Sequence, residues 1–522
     1  MEKLKNKLLQ HHRRSRQVTP TPTQNNFRQW AVAFIVCNFN VDVGPEIEIV
    51  YPPNTQFSTS DLSAICFNSF PERQDTETAA DLTFHFTIPN NSPDVALDSP
   101  CSPHGSATDF YGNCVFRQEF DHSMKRSFNQ RTLVLVTTHE FPAFFIHLLK
   151  QMTSSGVISD PTALETAHNQ MLTWAPPSLG KHELPFMGSM LTLEITPHPA
   201  FPLQGLVSTR PTISATGRAP SIYAYEPLGT WENVMQFMPC LSDLDVVYEK
   251  LLLCESIIVL AKSPQLCSEG VSALVDLIRP IPYAGEIKPY MIMQSEFQSI
   301  GIDGGTPRPF IIGITNPFLL KRILGASETS NRSKPHVLYL HASEDPVPIK
   351  RHRSMHHRNQ SFDMPGGIDS QTVSKRFVKS DRAFVQTVDT LLRSNPANHE
   401  LSSLIRRHYA ELTAQYLAPV NRYLATSAST NFTSPGGDYR YANFSEADFL
   451  YSLSKHGSSM KFRGQSPMQR HKARDNLYES FCRSPNFYSW LDMKLGLEKE
   501  ASAGLLSATP IQGSPAQSTG SL

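Results

Sequence analysis

The sequence predicts an α/β protein of two units, an α+β unit followed by a mainly parallel α/β unit, with disordered tails and loops around them. Three observations predict it. Leu82–Ile88 alternates apolar and polar residues without a fault, as a half-buried strand does. Ser268–Ile278 carries Val271, Leu274, Val275 and Ile278 at i, i+3, i+4 and i+7, the spacing of one helix face. Between these patterns, Thr196–Ser221 is rich in Pro, Thr and Ser and reads as a linker.

Taken in order, residues 1–26 read as a disordered basic tail. Its Lys3, Lys5, Lys7, Arg13, Arg14 and Arg16 suit a solvated segment or contact with an anionic membrane. The first unit spans 27–200. Ala31–Cys37 and Glu46–Val50 are strands about a turn at Asp42-Val43-Gly44-Pro45, and Asn113–Phe120 and Thr132–Thr137 are two more. Phe141–Met152 is an apolar helix, and Pro185–Ile195 adds a late strand. The linker covers 201–224.

The second unit spans 225–425. Asp243–Cys254 is a helix with Leu244, Val247, Leu251 and Cys254 on one face, and Ile257–Ala261 is a β-branched strand. After the 268–278 helix come two apolar runs, Tyr290–Met293 and Phe310–Ile314. Asn316-Pro317 ends the second run, and proline suits the first helical turn because no N–H is needed there. The order α–β–α–β–β–α predicts a Rossmann-like sheet. Asn316 then sits at a helix N-cap, with Phe318 in the first turn, either as core or facing the carboxyl edge of the sheet where ligands bind. Residues 325–375, rich in Ser, His, Arg, Pro and Gly, read as a flexible insertion broken by strand character at Val337–Leu340. Asp381–Arg393 and Leu401–Leu424 are helical. Residues 426–498 hold two shorter helices, Phe444–Leu453 and Asn476–Trp490, and 499–522 is a low-complexity tail.

The bulk properties restrict function. The chain has 522 residues and a formal net charge of zero, so it offers no global field to nucleic acid. Its 40 prolines exceed the usual ~5 % and fall mainly in connectors. Eight cysteines lie without a C-x-x-C pair, mostly inside apolar segments, as reduced core cysteines do. No run approaches a membrane span, and the start lacks the apolar stretch of a signal peptide, which predicts a cytoplasmic protein.

A search for chemistry returns none. There is no G-x-x-x-x-G-K-S/T loop, no G-x-G-x-x-G after a strand, no H-E-x-x-H and no G-x-S-x-G elbow. His352, His356 and His357 stand among arginines whose charge opposes a metal, so no metal, cofactor or catalytic residue is expected. Ser354 and Ser361 each follow an arginine by three residues in a basic loop and are phosphorylation candidates.

Ordered motifs add a resemblance. Ile314-Thr315-Asn316-Pro317-Phe318 after Lys288-Pro289-Tyr290 and Ser295-Glu296-Phe297 resembles the "KPY…SEF…GITNPF" pattern of the DENN-domain family, and the rest is most like its DENN domain-containing protein 6 subgroup. Phe39–Gly44 with Ile49–Pro53 resembles "NFDVELG…VIYPP", and Cys66–Pro71 falls where "LSFP" does. Phe110–Gln118 resembles "YGYVYFRQ", Ile405–His408 with Glu411-Leu412-Thr413 resembles "LRRHLLELT", and Ser484–Trp490 resembles "SPNFDGW". One departure is plain: where the subgroup has a His-Asp pair in "FTIHDSEF", this chain has Met293 and Gln294.

The resemblance implies a longin-like amino lobe and a Rossmann-like central DENN lobe with a downstream helical part. It implies guanine-nucleotide exchange on a Rab GTPase seated between the lobes, without covalent chemistry, in a protein peripheral to recycling endosomes. Glu296, Phe297, Asn316, Phe318 and Arg117 are the Rab-binding candidates. The alternatives are a non-catalytic Rab-binding adaptor or effector, or a GTPase-activating protein with an arginine finger at Arg117, Arg308 or Arg406.

Overall fold

The computed structural model describes residues 22–72, 81–92, 109–120, 128–154, 158–196, 221–238, 241–329, 333–341, 376–395, 400–430 and 444–494. The first unit runs α1 (Pro22–Trp30), β1 (Ala33–Asn40), β2 (Gly44–Tyr51), α2 (Thr59–Asn68), β3 (Leu82–Pro89), β4 (Asp109–Phe120), β5 (Phe128–Thr137), α3 (Pro142–Thr153), α4 (Pro161–Met171), β6 (Gly180–Phe186), β7 (Ser189–Ile195) and β8 (Ser221–Tyr223). β1 to β5 form one antiparallel sheet in the order β2-β1-β5-β4-β3.

The two-residue period gives this sheet two faces. Phe34, Val36, Leu133 and Leu135 join Phe27, Trp30, Phe144, Phe145 and Leu148 under α1 and α3. Ile35, Cys37, Val134 and Val136 face the other way, with Phe84 and Phe86. α1 starts at Pro22, inside the stretch expected as tail, because Phe27 and Trp30 are buried in the sheet's apolar cover. The single strand expected at Pro185–Ile195 is instead a hairpin of β6 and β7. The chain reverses at Met187 and Gly188, both with positive φ. α2 and α4 had no clear sequence signal, since each buries only a few apolar residues.

The second unit continues with α5 (Trp231–Gln236), α6 (Ser242–Leu252), β9 (Ile257–Ala261), α7 (Pro264–Asp276), β10 (Glu286–Met291), β11 (Phe310–Ile314), α8 (Pro317–Thr329), β12 (His336–Leu340), α9 (Arg382–Ser394), α10 (Glu400–Thr430), α11 (Glu446–His456) and α12 (Pro467–Cys482). Its four strands are all parallel, in the order β10-β11-β9-β12, which is the mixed α/β class expected. β12 and the last five residues of α8, 325–329, lie inside 325–375, so that stretch is not one insertion. His336–Leu340 pairs with β9 as an edge strand of the sheet. Gly313 in β11 allows close packing, because a Cβ there would lie 2.2 Å from the Pro289 carbonyl oxygen and 2.8 Å from Cys267 Cβ.

One apolar cluster joins the units. It runs from Ile35, Phe84 and Phe86 through Tyr290, Cys267 and Val271 to Tyr416, Phe481 and Trp490. β3 is the edge of the antiparallel sheet, and side chains of α7 cover that edge. His85 N–H donates to Ser268 Oγ and Ser268 Oγ–H donates back to the His85 carbonyl, each at 3.2 Å. Thr83 N–H donates to Gln265 Oε1 at 3.3 Å. No helix among the described residues is long and apolar enough to cross a membrane.

Candidate functional site

β10 and β11 end side by side, with Met291 opposite Ile314, at the carboxyl edge where open α/β sheets bind ligands. Here the segment after α2 in the first unit meets the loop after β10. Met293 N–H donates to Glu72 Oε1 at 2.7 Å, and Glu72 N–H donates to Tyr290 Oη at 2.9 Å. Ser295 Oγ–H donates to Asn68 Oδ1 at 3.0 Å and accepts from Ile292 N–H at 2.9 Å. Burial raises the Glu72 carboxyl above its ordinary range, and the Met293 amide and Asn316 side chain pull it back down.

Asn316 is the N-cap of α8. Its Oδ1 accepts from Phe318 N–H at 2.9 Å, and its carbonyl accepts from Leu320 N–H at 3.2 Å. Phe318 is not core, contrary to the core expectation, because α8 turns Leu319, Leu320 and Ile323 inward and leaves Phe318 on its outer face at 73 % exposure. Lys321 Nζ lies 5.8 Å from its ring centre. Met293 is 37 % exposed and Phe67 38 %. All three apolar side chains thus stand beside residues that bond across the seam: Phe67 next to Asn68, Met293 on Glu72, and Phe318 at the Asn316 cap. An exposed apolar rim of this kind is suited to a partner protein.

The other candidates are placed differently. Glu296 accepts from Ser299 N–H at 3.2 Å and shapes the loop after β10. Phe297 is only 4 % exposed, packed with Ile300, Ile302 and Ile312, and the Arg322 guanidinium lies 4.3 Å from its ring centre. Its backing role follows from burial, so it supports the rim without facing a partner. Arg117 is not brought to the rim; it is held by Asp81 at 2.6 Å and by the Thr153 carbonyl, both in the first unit. Arg406 is buried against Asp276 at 2.7 Å. Arg308 alone of the three finger candidates is well exposed, 3.1 Å from Glu286. Ser354, Ser361 and the histidines at 352, 356 and 357 lie outside the described residues. Among the described residues no group of three His, Cys, Asp or Glu side chains is placed for a metal.

Sequence reasoning singled out Met293 as a departure but missed Phe67, Asn68 and Glu72. The motif positions held the signal: the segment at the place of "LSFP" and the segment carrying the Met293-Gln294 departure are the two that meet.

These features define a class: a two-unit α/β scaffold whose inter-unit hydrogen bonds are flanked by exposed apolar side chains. No protein-family model matches the chain. Whole relatives do. The chain is 26 % identical over 494 residues to Protein DENND6A of Gallus gallus, covering 89 % of this chain and 79 % of that one. It is 25 % identical over 493 residues to Protein DENND6B of Homo sapiens, covering 90 % and 80 %. It is 23 % identical over 546 residues to the Protein DENND6 homolog of Dictyostelium discoideum, covering 90 % and 71 %. The resemblance to the DENN domain-containing protein 6 subgroup therefore extends over about nine tenths of the chain.

Proposed function

We propose that the chain is a guanine-nucleotide exchange factor for a Rab GTPase, acting at endosomal membranes as a peripheral protein. The observation that carries this is the rim: Phe318, Met293 and Phe67 exposed where the units meet, in a chain similar throughout to DENND6 proteins. Exchange needs no nucleophile. A scaffold that binds the nucleotide-free, switch-open GTPase better than the loaded form weakens nucleotide binding by the same coupling energy. A 10³-fold faster release needs about 4 kcal/mol of differential binding. A few buried apolar anchors ringed by hydrogen bonds supply energies of that size.

The departure at Met293 and Gln294 bears on which Rab is chosen. An exposed thioether replaces charge at the rim, so an apolar switch residue on the GTPase is favoured over a charged one.

Release of fluorescent GDP from a panel of purified Rabs tests the proposal. Acceleration for at least one endosomal Rab supports exchange. Binding without release turns the reading to an adaptor, and faster GTP hydrolysis to an activating protein. The ties of Arg117 to Asp81 and of Arg406 to Asp276 speak against either as an arginine finger.

A further inference from the structure

Far along the chain from the rim, residues 455–474 hold six Lys or Arg, two His and no Asp or Glu. The fold gathers them. Val378 and Phe462 form an antiparallel bridge, Lys379 N–H donates to the Lys461 carbonyl at 2.8 Å, and Arg463 N–H donates to the Phe377 carbonyl at 2.8 Å. Phe462 is buried, so by the two-residue period Lys461 and Arg463 point the other way and are exposed, as is Lys379.

The chain then folds onto the start of α12. Gly464 lies so close that a Cβ there would sit 2.8 Å from Arg470 N, and Gln469 Oε1 accepts from Gln465 N–H at 2.8 Å. Arg470, His471 and Lys472 are exposed beside it. Two exposed apolar-bodied side chains border this surface: Met468 at 81 %, and Tyr451, whose ring lies 4.4 Å below Lys455 Nζ. The acids at hand are already engaged. Asp475 is engaged by Arg474 at 2.8 Å, Asp381 caps α9, and the buried Glu249, whose carboxyl feels the Arg463 charge, accepts from the Phe377 and Val378 N–H groups.

We propose that this surface, formed by Lys379, Lys461, Arg463, Arg470 and Lys472 with Met468 at its tip, docks the protein on an anionic phospholipid bilayer. Charge complementarity selects the occupant. The cations are spread over an exposed surface, which fits the diffuse negative potential of acidic headgroups. Met468 is 81 % exposed, and a thioether among cations is placed to enter the headgroup boundary. An acidic protein is the competing occupant, and the test separates the two.

The full chain is sedimented with phosphatidylcholine vesicles with and without phosphatidylserine. Partition onto acidic vesicles, lost at high salt, is expected. Reversal of four charges (Lys461→Glu, Arg463→Glu, Arg470→Glu, Lys472→Glu) is expected to lower it by nearly three orders of magnitude, at about five-fold per residue. If that variant melts early, Arg470→Gln with Lys472→Gln decides, with about a 25-fold loss expected by the same scale. Met468→Gln should add a several-fold loss. Partition that ignores phosphatidylserine overturns the proposal. So does unchanged partition of the charge variants, which would move the contact to the basic segment at residues 3–16, and so does salt-sensitive binding of acidic protein without vesicle binding. GDP release in solution should be the same in every variant, so failure here leaves the exchange proposal standing, and the reverse.

Discussion

The seam between the two units has an interior and a rim, and they are built on opposite terms. Inside, polar groups close on one another: Ser268 with the His85 backbone, and Asp276 with Arg406 and Arg279. A cavity of about 80 Å³ between the units is lined by His85, Glu140, Tyr225, Arg279 and Pro289 among others. At the rim hydrogen bonds also cross between the units, yet Phe318 is largely exposed and Met293 and Phe67 are partly so. The difference teaches where to look for function. A buried, ion-paired network is an account of stability, while large apolar side chains left exposed beside it are what the proposed docking surface uses.

The contrast breaks most sharply at Arg406. Arg406→Ala leaves the Asp276 carboxylate buried beside Arg279 alone and should cost about 3–5 kcal/mol in chemical denaturation. A cost under about 1 kcal/mol would mean the interior is not the stabilising half. At the rim the order of effects is reversed. Phe318→Ala should change stability by less than about 0.5 kcal/mol. The same substitution should weaken binding of a nucleotide-free Rab by about 2 kcal/mol or more, roughly 30-fold. Isothermal titration beside a melting curve measures both.

Acid sharpens the comparison. Burial holds the His85 imidazole down at about 3 and the His336 imidazole at about 4. Each is neutral when folded, but the unfolded chain takes up the proton near pH 6.5. Stability is therefore whole above pH 6.5 and falls as pH drops below it towards the folded values, by about 1.4 kcal/mol per pH unit for each such histidine. His85→Gln should remove one proton's worth of that slope in denaturation midpoints at pH 6 and pH 5. The smallest effect is the cap: Asn316→Ala should cost about 1 kcal/mol, read by thermal melting, because Phe318 N–H loses its acceptor.

Strong periodicity made much of the fold legible. β3, β11 and α7 each show an undisturbed pattern in the chain, and each is where the pattern puts it. β12 showed only as strand character at Val337–Leu340 within an expected insertion, because its loop-forming neighbours hid that it pairs with β9 as part of the sheet. The site was half legible. Asn316 and Phe318 were found because Asn-Pro at a strand end has a local meaning. Glu72 and Asn68 were not, because their meaning is a contact between residues 218 and 227 positions apart in the chain. Phe318 was open between core and cleft for a similar reason: only the helix phase set by Leu319, Leu320 and Ile323 decides it.

The central claim, that the rim and not exposure in general engages the GTPase, is tested by pairing two exposed aromatics. Phe318 is on the rim; Tyr488, also exposed, lies in the helical stretch 485–494 that follows α12. Release of fluorescent GDP from the responding Rab is measured for wild type, Phe318→Ala and Tyr488→Ala at equal concentration. We expect Phe318→Ala to slow release by at least ten-fold, about 1.4 kcal/mol, with Tyr488→Ala as fast as wild type. Equal rates for all three proteins, each folded, would contradict the account.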